Sequence, residues 1–180
     1  MRRSALKFGT QMPHHLAYLV DDVADAAQRW YIALGVGPFL TLPHMTFEEL
    51  TVDGCSVRVR QESAYAAHGP MFVELQSISA LDPPEALPRY QSLGGQGPHH
   101  MCYVVDDMVA ESDRLHKAGA PCVIRGRGPG IDMAIHDGRG TVGFGIQVQQ
   151  DNVLYTSFFG RVRAAAYDWD GRHLLRRFTF

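Results

Sequence analysis

Thiolate chemistry has little to work with in this chain. Its three cysteines, Cys55, Cys102 and Cys122, are odd in number, and none stands in a Cys-x-x-Cys spacing. That argues against a disulfide framework or a thiolate zinc site and points to a reducing compartment. There is no stretch of about 20 apolar residues that could span a bilayer. Arg2 and Arg3 are followed by Ser-Ala-Leu-Lys-Phe-Gly, which has no apolar run of signal-peptide length. A soluble, cytoplasmic protein is therefore expected. The net charge of −2 offers no electrostatic case for nucleic acid or an anionic membrane as a partner. Dinucleotide and phosphate fingerprints are also missing. Gly35-Val36-Gly37-Pro38 and Gly126-Arg127-Gly128-Pro129-Gly130 lack the strand-to-helix setting of such loops and read as turns.

What the chain does contain is a copy of itself. Residues 13–30 begin Pro-His-His-Leu-Ala-Tyr-Leu-Val-Asp-Asp, and residues 98–115 begin Pro-His-His-Met-Cys-Tyr-Val-Val-Asp-Asp. Aligned without a gap, 8 of 18 positions coincide, where unrelated segments would share about one. A repeat at half the length of a 180-residue chain predicts two copies of one structural unit over a shared core.

In the first copy, His14–Val20 reads as a strand, and Asp21 or Asp22 as the N-cap of a helix. Val23, Ala26, Ala27, Trp30 and Leu34 carry the helix at its proper spacing, and Gly35 closes it. Gly37-Pro38 leads into a second strand. Two more strands turn at Asp53-Gly54, a strong hairpin signal. Ala64–Pro70 reads as a loop, and Met71–Ile78 as the last strand. The second copy has a strand at His99–Val105, a cap at Asp106/Asp107 and a helix through Val109, Ser112 and Leu115 to Gly119. Its next strand starts at Pro121, Asp137-Gly138 turns a hairpin, and Thr141–Gln149 closes the unit. The expectation is an α+β fold of two βαβββ modules, at 12–80 and 98–150, joined by a Pro- and Gly-rich linker at 81–97. Their curved sheets would enclose a cavity. Residues 151–180 form an aromatic, terminally basic extension, read as a tail that packs on the outside of the sheet or helps a dimer contact, or else as a lid over the cavity.

Strand alternation assigns the faces. Val142, Phe144, Ile146 and Val148 form an apolar face, and Gly143, Gly145, Gln147 and Gln149 the opposite, pocket-lining one. Glu74 and Gln147 hold corresponding places. His15 and His100 share that side, while His14 and His99 alternate away or fall at the strand edge. A carboxylate inside an apolar strand needs a partner. A lone histidine there is usually a hydrogen-bonded core residue. Two at matched positions, with an acid and an amide at another matched pair, instead predict a divalent cation.

These residues resemble the vicinal oxygen chelate superfamily, which includes glyoxalase I, methylmalonyl-CoA epimerase, extradiol dioxygenases and bleomycin-resistance proteins. The likeness covers about residues 12–150, and His99-His100-Met101-Cys102-Tyr103-Val104-Val105-Asp106-Asp107 looks most like the epimerases. The resemblance implies a metal set of His15, Glu74, His100 and Gln147, holding one Fe, Mn, Co, Ni or Zn ion. The last position is usually glutamate in the epimerases and glyoxalases, and Gln147 cannot take a proton. Base duty therefore falls to Glu74, with Glu48 and Glu49 as alternatives. Arg58 and Arg60 share one strand face and would hold a substrate carboxylate or phosphate if that face met the cavity. Gly143, Gly145 and Gln149 would border the substrate.

The function so implied is a metal-dependent isomerase or lyase that chelates a small carbonyl or carboxylate substrate, acyl-CoA included, and assists α-proton transfer. An Fe(II) ring-cleaving dioxygenase and a non-enzymatic drug- or metabolite-binding protein are the alternatives. A homodimer is expected, because related proteins are commonly dimeric.

Overall fold

The computed structural model describes residues 11–42, 44–94 and 97–179. The leader reading on residues 2–9 lies outside them, as do positions 95–96 of the linker and Phe180 of the extension. Among the described residues no helix is long and apolar enough to cross a membrane.

The first module opens with β1 (His15–Leu19) and α1 (Val23–Leu34), and continues in β2 (Phe39–Leu42), β5 (Arg58–His68) and β6 (Met71–Asp82). Between β2 and β5 lies a short hairpin, β3 (Glu49–Val52) and β4 (Cys55–Ser56). The Asp22 side chain accepts from the backbone N–H of Asp25, capping α1, and Gly35 ends the helix in the left-handed region at φ 68°. Val23, Ala26 and Ala27 of α1 pack on Ala64, Ala66, Val73 and Leu75.

After a 3-10 turn at Pro84–Ala86 and α2 (Leu87–Gln91), the second module runs β7 (Gly97–Val105), α3 (Met108–Lys117), β8 (Cys122–Gly128), β9 (Ile131–His136) and β10 (Gly145–Gln150). Asp107 caps α3 as Asp22 caps α1. The chain ends in α4 (Val153–Ala166) and β11 (Leu175–Arg177).

All strands belong to one curled sheet, in the order β11-β2-β5-β6-β1-β7-β10-β9-β8-β3-β4. The two modules contribute β2-β5-β6-β1 and β7-β10-β9-β8, which are mirror orders about the antiparallel β1/β7 pair. The α+β fold of two paired modules is therefore present, joined edge to edge through their first strands.

Two local expectations are corrected. Ala64–His68 is not a loop but the end of β5, which turns at Gly69-Pro70 before β6. Alanine has poor strand propensity, yet Ala64 and Ala66 leave the room that α1 needs, so helix burial outweighs local preference. The closing strand begins at Gly145 rather than Thr141, while Asp137-Gly138 lies in the expected connection between the antiparallel strands β9 and β10, and a further hairpin joins β8 to β9 at Pro129-Gly130. The Asp53-Gly54 hairpin forms as expected, with φ of 47° and 79°, but β3 pairs with β8 of the second module.

The expected linker carries core residues. Tyr90 and Leu93 pack with Leu50, Val52, Ile124 and Ile135 beneath the hairpin. Over the first module, Phe159 and Val162 of α4 pack on Leu40, Tyr65 and Phe72. The space left between these two cores is the candidate site.

Candidate functional site

The register across the module junction places the polar residues. On one side of it Glu74 lies beside Ala17, Ala17 beside His100, and His100 beside Gly145. On the other, Phe72 lies beside His15, His15 beside Cys102, and Cys102 beside Gln147. The pseudo-dyad thus exchanges His15 with His100 and Glu74 with Gln147, around the small residues Ala17 and Cys102.

All four polar side chains are buried and line a cavity of about 50 Å³, together with Gln149. Glu74 Oε2 stands 3.2 Å from His15 Nε2 and 3.8 Å from His100 Nε2. Its other oxygen accepts from Tyr65 at 2.8 Å and Ser63 at 3.1 Å. Neither imidazole Nε2 has a hydrogen-bond partner, and the same holds for Gln149 Oε1. Buried polar atoms are rarely left in this state. Two nitrogens and a carboxylate oxygen grouped within 4.8 Å suit a divalent cation, so the donor set fits the group that the resemblance implies.

Burial works against a charged His15, but Cys102 and Glu74 outweigh it and raise its pKa. Burial would likewise raise the Glu74 carboxyl, but the neighbouring His15 holds it below the usual carboxylate range. His100 and His99 are driven toward the neutral form, chiefly by burial. His14 falls to about 3 through burial, then through the charges of His15 and Arg163.

Each cation-facing histidine is backed by the histidine before it. His14 Nδ1 lies 3.1 Å from His15 Nδ1, and His99 Nδ1 lies 2.9 Å from His100 Nδ1. The doubled His-His of the repeat was the visible signal for this arrangement, although alternation set the first member of each pair aside. Gln76, on the same strand face as Glu74, could also have been read from alternation. Tyr155 could not, because α4 reaches the site from outside the repeat.

The structure brings His15, Glu74, His100, Gln147 and Gln149 together, with Gly145 buried against His100. It does not bring in the other candidates. Glu48 is exposed, and Glu49 pairs with Arg127 across the β3/β8 edge. Arg58 pairs with Asp82 in solvent, and Arg60 is exposed. These side chains point outward because Val57 and Val59, which alternate with them, face the core. Gly143 is exposed in the turn before β10, at φ 89°.

A family model described as the glyoxalase/bleomycin resistance protein/dioxygenase superfamily matches residues 14–136. Among solved structures, a hypothetical protein from Bacillus halodurans is similar at TM-score 0.52 and 14% identity, over 79% of this chain and 95% of the other. A Streptomyces coelicolor methylmalonyl-CoA epimerase variant in complex with 2-nitronate-propionyl-CoA is similar at TM-score 0.50 and 14% identity, over 78% and 97%. The Mycobacterium tuberculosis methylmalonyl-CoA epimerase is similar at TM-score 0.49 and 14% identity, over 81% and 91%. No curated protein sequence matches the chain. The match covers well over half the sequence, and the sheet shows the same paired modules: the chain belongs to the glyoxalase/bleomycin resistance protein/dioxygenase superfamily.

Proposed function

We propose that the protein is a divalent-cation-dependent isomerase or lyase acting on a small carbonyl or carboxylate substrate. The observation that carries this reading is the pair of buried Nε2 atoms of His15 and His100, neither of them hydrogen-bonded, facing one oxygen of Glu74. Gln147 completes the set through its amide oxygen. A cation held there supplies Lewis-acid polarisation of a substrate carbonyl, which acidifies the adjacent C–H bond.

The chain's own residues do the rest. Glu74 is the one carboxylate among the described lining residues, so proton removal would fall to it, with Oε2 loosened from the cation to take the proton. Tyr65 and Ser63 hold its Oε1 and keep Oε2 turned toward the histidines. Gln149 offers a bare Oε1 to a hydroxyl or N–H of the substrate. A neighbouring apolar cavity of about 70 Å³ shares Met45, Tyr65, Ile131 and Tyr155 with the site and suits the substrate's non-reacting part. An acyl thioester, of the kind bound by the Streptomyces coelicolor epimerase, belongs to this substrate class.

Two histidines and one carboxylate also suit Fe(II) and ring-cleaving oxygen chemistry, which is the second reading. Elemental analysis of protein purified without chelator or added metal tests both. Near-stoichiometric metal that is lost in His100→Ala supports the site, and the identity of the metal separates iron oxygenase from isomerase. No metal, and no uptake from Fe, Mn, Co, Ni or Zn solutions, sinks both readings and leaves a non-enzymatic binding protein.

A further inference from the structure

The backing histidine of the second module, His99, is held more completely than a filler of the core requires. It is fully buried. Its Nε2 lies 2.9 Å from the main-chain carbonyl of Tyr90, and its ring stacks on the Tyr90 ring at 5.5 Å and 12°. Its Nδ1 receives the side-chain amide of Gln76 at 3.0 Å and faces His100 Nδ1 at 2.9 Å.

These contacts determine where the protons are. A carbonyl oxygen can only accept, so His99 Nε2 carries the hydrogen. A neutral imidazole has one N–H, so His99 Nδ1 is bare and accepts. Two bare nitrogens at 2.9 Å would repel, so His100 Nδ1 carries a hydrogen and shares the His99 Nδ1 lone pair with the Gln76 amide. The remaining nitrogen of His100, Nε2, is then bare, and it is the atom that faces Glu74. We propose that His99 is a positioning residue: it fixes His100 in the Nδ1–H tautomer and presents the Nε2 lone pair to a cation shared with His15 and Glu74. The inference rests on the cation reading of the site. A ligating histidine commonly donates its second nitrogen to a carboxylate or carbonyl. Here another imidazole takes that place, and the first repeat has the same spacing between His14 and His15.

The test has two parts. In metal-free protein labelled with 15N-histidine, long-range 1H–15N correlations identify the protonated nitrogen of each ring. His100 is expected as Nδ1–H and His99 as Nε2–H. A His100 that carries its proton on Nε2 overturns the proposal. In the second part, Zn(II) affinity is measured by chelator competition. His99→Phe is expected to bind roughly 10–100-fold more weakly. His99→Asn places an amide oxygen near the lost Nδ1 and is expected to recover most of that loss. Phe binding within twofold of wild type, or Asn binding no better than Phe, overturns it. If His99→Phe does not fold, the tautomers of the wild-type chain still decide. A wild-type chain that takes up no cation overturns the cation reading itself, whichever tautomer His100 adopts.

Discussion

The Tyr155 hydroxyl lies 3.4 Å from Nδ1 of His15, on the opposite edge of the imidazole from Glu74, whose Oε2 is 3.2 Å from Nε2. A residue of the C-terminal helix and a strand residue near the other end of the chain therefore meet across one ring. The same hydroxyl is 3.5 Å from His14 Nδ1 and 3.8 Å from Cys102 Sγ. Of residues 151–180, α4 contributes Tyr155 to the cavity lining, and β11 pairs with β2 at the edge of the sheet.

Replacing Tyr155 by Phe keeps the ring and removes only the hydroxyl. Stability should fall by about 1 kcal/mol, the usual worth of one hydrogen bond. Zn(II) affinity should fall several-fold, because the His15 ring loses a contact that orients it. Urea denaturation and chelator competition on the same preparation check both, and unchanged affinity would separate α4 from the working site.

Phe159 is buried, stacks on His15 at 5.9 Å and 12°, and meets Tyr65 edge-on at 5.3 Å. Phe159→Ala leaves a cavity beside the histidine and should cost about 3–5 kcal/mol in equilibrium unfolding. A loss under about 1 kcal/mol would mean that the helix docks through other contacts.

Cation affinity should depend on pH through His15. Its pKa is raised from the ordinary 6.5 in the cation-free fold, so the proton must be displaced on binding. Apparent affinity should keep rising above pH 6.5, by about tenfold per unit for one displaced proton. The sign for stability is opposite. The raised pKa stabilises the cation-free fold fully below the unfolded value of about 6.5, and this contribution fades as pH climbs toward the folded value. Calorimetric titration with Zn(II) from pH 6 to 8.5 reads the first effect, and a plateau by pH 7 would contradict it.

Gly145 permits a close approach that no other residue would. A Cβ there would lie 2.9 Å from the His99 carbonyl oxygen and 3.2 Å from His100 Cβ. Gly145→Ala should force β10 away from β7, destabilise by about 1–3 kcal/mol and weaken Zn(II) binding by moving His100. Thermal unfolding with and without Zn(II) shows both. A variant as stable and as Zn(II)-responsive as wild type would mean that the strand yields without disturbing the histidine.

Much of the site was legible because strand alternation is a local property. His15, His100, Glu74 and Gln147 could be placed on one face from their spacing alone, and the repeat showed which were partners. Arg58 and Arg60 were equally readable as a pair, but which face of their strand met the cavity was not, because that depends on what packs against Val57 and Val59. Glu49 read as a strand carboxylate, while its pairing with Arg127 needed β3 to cross to the other module.

The amino-acid order by itself determined the two modules, the helix caps at Asp22 and Asp107, the Asp53-Gly54 turn, and the shared face of the histidines and Glu74. Each depends on backbone geometry over a few neighbouring residues. Only the tertiary structure decided that β1 and β7 join the halves, that the β3–β4 hairpin extends the second module, and that α4 brings Tyr155 and Phe159 onto His15. Those choices rest on which apolar surfaces bury each other across long stretches of chain. That burial is non-directional and leaves no periodic mark in the sequence.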